Sequence, residues 1–258
     1  MDDYSTAEDL GNVTTKTETG LTCNNSYTRY VWAYNACSGL SATLTQTTLA
    51  CMNVPCPNIP TFVYEGKTYN TVQIGTQCWL KENLNVGTRI NGSETQTNNG
   101  IKEKYCYADL ESNCDIYGGL YQWDEAMQYT TTPGLQGICP AGWHLPTDVE
   151  WTTLTIFLGG ESAAGGKLKS TGTIEVGTGL WYSPNTGATN ESGFTVVPAG
   201  NRVANGTSVN IGYNDYLWSS TTTPSVFAWL RTIYFDESSL GRANGLKKYG
   251  LSVRCLKD

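Results

Sequence analysis

Nine cysteines and a single histidine are the residues of this 258-residue chain with the widest range of possible chemistry. Cysteine can ligate metal, act as a nucleophile or close a disulfide. No Cys-x-x-Cys occurs, and His144 stands outside any zinc spacing, so no metal site is expected. A histidine base needs a nucleophile within hydrogen-bond reach. His144 lies between Trp143 and the Leu145-Pro146 pair, and a packed strand position explains it. Asp124 and Glu125 are sequence neighbours and would face different ways on a helix, which is not an acid–base pair. Gly165-Gly166-Lys167 lacks the spacing and the strand-loop-helix setting of a phosphate loop. Asn214-Asp215 alone is thin evidence of a calcium site, and a solvated turn accounts for Asp236-Glu237. A non-catalytic protein is expected, with calcium the one cofactor left open.

Disulfides then become the main use of cysteine. Cys106 and Cys114 bracket a short loop; Cys56 with Cys78, and Cys23 with Cys37, are further pairs by nearness, leaving Cys51 over beside Cys139 and Cys255. Sequence alone leaves the connectivity open. Cysteine in this number, beside abundant Thr, Ser, Asn and Gly, fits an oxidising space: extracellular, on a cell surface or on a virion. The first residues carry neither a basic start nor an apolar core, so no signal peptide is expected there. That fits a trimmed chain or a virus-particle protein. Charged residues make up 15% of the chain and the net charge is −7, with no basic patch for nucleic acid. No apolar run is long enough to span a membrane. Oligomerisation stays open.

The remaining chemistry is recognition. Residues 226–236 alternate, and one alternate set holds Trp229, Ile233 and Phe235. Burying that set, with Trp218, Val253 and Cys255, turns Leu230, Thr232 and Tyr234 outward. A loop with Asp236, Ser238, Ser239, Leu240, Arg242, Asn244 and Leu246 would follow, bordered by Tyr213, Asn214 and Tyr216. Tyr and Arg offer rigid contact area, while Ser and Asn offer adaptable hydrogen bonds. Such a cluster reads as a ligand-binding face.

The elements that would hold this face are legible in part. Residues 1–57 read as a β-rich segment like the last strands of a fibronectin-III or immunoglobulin-like sandwich, with a stiff linker over 55–60. A second domain covers 58–258. It opens with a meander and shows helical spacing at Leu120, Trp123, Ala126 and Met127. Thr147 and Glu150 form a capping box for a helix burying Trp151, Leu154, Phe157 and Leu158, ended by Gly159-Gly160. Residues 163–179 read as irregular because of their glycine and serine. Two closing strands, 227–235 and 251–256, bracket the presumed loop.

Five motifs occur in order: YNTVQIGTQCWLKENL at 69–84, Tyr105-Cys-Tyr with NCDIYG at 113–118, CPAGWHLPTDVEW at 139–151, LWSST at 217–221 and YGLSVRC at 249–255. Across 62–258 the chain resembles the Fibrobacter succinogenes major paralogous domain, which is similar to the formylglycine-generating-enzyme branch of the C-type lectin fold. The resemblance implies an α+β, C-type-lectin-like fold with two helices and antiparallel strands. It also implies a Cys139–Cys255 bridge, since those two places meet in lectin-like folds. Domains of this kind serve as variable proteins of diversity-generating retroelements, whose C-terminal strands and loops bind ligand. The implied partner is a protein or glycan on another cell surface. A structural or adhesive subunit is the alternative, and a formylglycine-type oxidase the remote one, because only Cys255 follows residue 139.

Overall fold

The computed structural model describes residues 8–11, 13, 15–19, 21–23, 25–34, 39–224 and 226–258. They form two compact units, Met1–Cys51 and Met52–Asp258. In the first, β1 (Ser26–Tyr34) and β2 (Gly39–Thr47) form an antiparallel hairpin. Hydroxyl pairs Ser26–Thr47 and Thr28–Thr45 line one face, as expected for cross-strand Ser/Thr neighbours. Cys23 is bonded to Cys51, not to Cys37. Cys51 is therefore not the leftover cysteine; Cys37 lies outside the described residues.

The second unit is mixed α+β, mostly strand. Strands β3 (Met52–Val54), β4 (Thr61–Tyr64), β5 (Lys67–Ile74) and β6 (Gln77–Leu80) open it. β7 (Thr88–Arg89) and β8 (Glu103–Lys104) pair in parallel, and β9 is Trp143–His144. β10 (Asn201–Arg202), β11 (Ser208–Val209), β12 (Asn214–Thr222), β13 (Phe227–Tyr234), β14 (Gly241–Leu246) and β15 (Leu256–Lys257) follow. The helices are α1 (Glu111–Tyr117), α2 (Trp123–Ala126), α3 (Asp148–Phe157) and α4 (Glu161–Leu168). Four helices thus replace the expected two. Segment 55–60 is not a free linker: Cys56 is buried and bonded to Cys78, and Thr71 Oγ1 donates to the Ile59 carbonyl at 2.6 Å.

One sheet runs β3-β5-β6-β15-β9 with β4 on β5; another runs β12-β13-β14. Residues 250–256 join them. Ser252 N–H donates to the Tyr216 carbonyl, and Trp218 N–H donates back to Ser252. Leu84 and Leu80 N–H groups donate to the carbonyls of Val253 and Cys255. The segment is buried throughout, and the Cys139–Cys255 bridge fixes its end. Two apolar clusters flank it. One gathers Tyr121, Trp123, Trp218, Leu230 and Val253; the other gathers Trp79, Trp151, Phe194, Leu217 and Ile233.

The capping box opens α3 as its residues require: Glu150 N–H donates to Thr147 Oγ1, and Thr147 N–H donates to the Glu150 carboxylate. Trp151, Leu154 and Leu158 are buried, but Phe157 is 38% exposed, lying over Gly75. α4 takes up the start of the stretch read as irregular. The expected longer helix around Trp123 is reduced to the four residues of α2. Four disulfides among the described residues are consistent with a secreted or extracellular protein. Among them, too, no helix is long and apolar enough to cross a membrane.

Candidate functional site: the C-terminal three-stranded sheet

β12, β13 and β14 carry most of the residues singled out for binding, but the structure sorts them differently. Alternation puts Ala228, Leu230 and Thr232 on one face of β13, and Trp229, Arg231 and Ile233 on the other. Neither face is simply solvent-facing. Leu230 is only 4% exposed and packs in the cluster with Trp218; Thr232 is buried over Gly241. Those two are therefore not on an open surface. Ile233 packs with Leu217 in the other cluster, and Arg231 is buried beneath α3.

The segment after β13 is not a free loop. Leu240 is fully buried and its N–H donates to the Glu161 carbonyl. Gly166 N–H donates to the Ser238 carbonyl, and Ser238 Oγ donates to Ser162. Ser238 and Ser239 are half-buried; Asp236 is exposed. The Lys169 ammonium clamps the turn by donating to the carbonyls of Thr186, Tyr234 and Glu237 at 2.7–3.1 Å. Burial lowers its pKa to about 8, against the pull of Asp236 and Glu237. Asn214 and Asp215 do not share a face of β12. Successive strand residues point to opposite faces. Asn214 Nδ2 donates to the Tyr216 hydroxyl at 3.0 Å, while Asp215 is buried and accepts from Ser252 Oγ at 2.7 Å. Burial raises the Asp215 pKa to about 7, against the opposing pull of Ser252 and Arg254.

What remains exposed falls into two groups. At one end Tyr213 is exposed, stacked on Tyr182 at 4.4 Å and meeting Phe235 edge-on at 5.2 Å. Half-buried Tyr216 and Tyr234 meet edge-on at 6.2 Å beside Asn214. Burial lifts the Tyr216 phenol to about 12, so it stays neutral, and its hydroxyl accepts from Asn214. At the other end Trp229 is half-exposed rather than part of the buried frame. The Arg242 guanidinium lies over its ring at 3.4 Å. Asp148 holds Arg242 there through bonds of 2.8–3.0 Å and also binds Arg231 at 2.7 Å. Burial alone would raise the Asp148 pKa, but the bonds from Arg242 and Arg231 hold it below the usual carboxylate range. Asn244 and Phe227 are exposed beside this platform, and Leu246 is half-buried.

Sequence reasoning placed Arg242, Asn244 and Leu246 in a loop; they lie on β14 and share a face with Trp229. Trp229, Phe227, Tyr182 and Lys169 were missed. Only the exposed end of the Trp229 alternation could have hinted at the platform; nothing in the sequence marks Tyr182 or Lys169.

A family model for the Fibrobacter succinogenes major domain matches residues 72–257. The chain belongs to that family. No curated protein and no solved structure matches. The Fibrobacter succinogenes major domain begins within β5 and ends in β15, so it contains the candidate sheet and the whole cluster around Trp79 and Trp151, while Cys56 and Tyr69 of the other cluster precede it. The first unit lies outside it.

Proposed function

We propose that this protein is a non-catalytic ligand binder, displayed on a cell or virion surface, which reads a protein or glycan of another cell through β12–β14. The observation carrying this reading is the Trp229–Arg242 platform, held by Asp148 and flanked by Asn244 and Phe227. An aromatic ring under a fixed guanidinium, beside an amide, suits recognition: its contact area is rigid and its rim is polar. The buried frame of Trp218, Ile233, Val253 and Cys255 is separate from these exposed side chains. That separation supports a C-type-lectin-like variable protein of a diversity-generating retroelement, in which surface residues change while the frame stays.

Glycan and cell-surface-protein arrays test the reading. The double variant Trp229→Ala, Arg242→Ala is expected to weaken the array signal at least about tenfold. Sibling loci are expected to differ mainly at Tyr213, Asn214, Tyr234, Arg242 and Asn244; differences spread evenly over the domain would sink the variable-protein reading. A structural or adhesive subunit is the second reading, favoured by Tyr30, Val31 and Leu44, all exposed on the hairpin. A formylglycine-type oxidase ranks last, since it needs reactive thiols and all eight described cysteines are in disulfides.

A further inference from the structure

β14 is the edge of its sheet, paired with β13 alone. Its register shows which backbone groups face outward. Lys247 N–H donates to the Val226 carbonyl. Antiparallel partners alternate between pairs that exchange both hydrogen bonds and pairs that exchange none. The bonded pairs are therefore Ala228 with Gly245, Leu230 with Ala243 and Thr232 with Gly241. The N–H and C=O groups of Arg242 and Asn244 point away from β13. Among the described residues, no backbone or side-chain group bonds to any of those four. Arg242 and Asn244 are also exposed.

Such an edge is a template for a further strand. The side chains near it do not block the approach: on one face β14 carries only Gly241, Ala243 and Gly245. The charges near it select the occupant. Arg242 on β14 and Lys247 and Lys248 directly after it are the cations at this edge, Arg242 and Lys248 exposed, and Asp148 and Glu161 are the acids acting on Arg242, in a chain whose net charge is −7. A second copy would bring its own Arg242, Lys247 and Lys248 to the same edge. An acidic segment brings the opposite charge.

We propose that β14 takes up an extended, acidic segment of a protein partner as an added antiparallel or parallel strand, bound through the outward groups of Arg242 and Asn244. This deepens the reading above by naming the kind of partner. Main-chain bonds give affinity in this mode, and side chains beside the groove give selectivity. Trp229 and Phe227 then lie one strand away from the added chain, on the face carrying Arg242 and Asn244.

The test uses the whole chain and a fluorescent octapeptide of alternating valine and glutamate, read by anisotropy at low salt. Three comparisons bear on it: the same peptide with alternate amides N-methylated, a valine–lysine version, and the protein variant Asn244→Pro. Proline removes the outward N–H but no bond to β13, as edge strands tolerate. N-methylation, the lysine peptide and Asn244→Pro are each expected to weaken binding about tenfold or more. Equal binding by the methylated peptide overturns the proposal, and this arm needs no variant to fold. No binding of the valine–glutamate peptide by the native chain overturns it as well. So does a dimer in sedimentation that Asn244→Pro dissolves, because the edge would then belong to a second copy. Array binding that depends on Trp229 and Arg242 is measured separately. If it persists while the peptide fails, only strand addition falls.

Discussion

Asp148 is the residue at which frame and surface meet. One carboxylate serves two guanidiniums: Arg231, buried beneath α3, and Arg242, exposed over Trp229. The two arms differ in energy because they differ in solvent access. Removing the partner of a buried charge leaves it uncompensated, which costs about 3–5 kcal/mol. An exposed pair with a cation–π contact contributes no more than about 1 kcal/mol. Asp148→Ala is therefore expected to lower unfolding stability by about 3 kcal/mol, and Arg242→Ala by less than about 1 kcal/mol, as read from urea midpoints at constant slope. Equal losses would mean that Arg242, too, belongs to the frame. If the gap holds, Arg242 can be replaced by another side chain while Asp148 cannot.

At the scale of elements, local chemistry was legible and tertiary burial was not. The Thr147–Glu150 box declares α3 because both of its hydrogen bonds lie within four residues. The orientation of β13 was misread because alternation presumes one wet face. Here Leu230 meets Trp218 on one side and Ile233 meets Leu217 on the other, so burial no longer alternates. α4 was read as loop on account of Gly165 and Gly166. Those glycines sit where a Cβ would collide with the Ser239 and Gly187 carbonyls, so they mark a close helix–loop approach rather than flexibility. The proposed binding residues of β14 are legible as residue types, yet their strand is hidden by its Gly-Arg-Ala-Asn-Gly composition.

His144 shows how elements are joined by one titrating group. It lies on β9, opposite Leu256 of β15, and its ring nitrogens meet Asp258 at 2.7 Å and Glu150 of α3 at 3.0 Å. The bond to Glu150 raises its pKa above the ordinary 6.5, against desolvation and with help from Asp258. A raised histidine pKa adds stability that is fully present below the unfolded value and is lost as pH rises through the folded one. The native chain is thus expected to lose stability from just below pH 6.5 upward. His144→Gln should flatten that part of the melting-temperature profile. A variant with the same slope as the native chain would show that the clasp does not titrate.

For the whole molecule, the order of the chain sets which crosslink matters most. Residues 250–256 come after β1–β14 in the chain, yet they lie between the two sheets and bond to both. Until they dock, β12 lacks its Ser252 neighbour and Leu80 and Leu84 lack acceptors for their N–H groups. The Cys139–Cys255 bridge spans a sequence separation of 116, whereas Cys106–Cys114 spans 8. Closing a loop in the unfolded chain removes more entropy when the loop is longer, about 5 kcal/mol for the first and about 2.5 kcal/mol for the second. The pair Cys139→Ala, Cys255→Ala is therefore expected to cost about twice as much stability as Cys106→Ala, Cys114→Ala, measured by denaturant unfolding under non-reducing conditions. Similar losses for both pairs would place their effect in local packing of the native state. In the expected case, the bridge keeps the closing segment close to its seat whichever residues occupy the exposed positions of β12 and β14. The surface can then vary in sequence without a matching loss of fold.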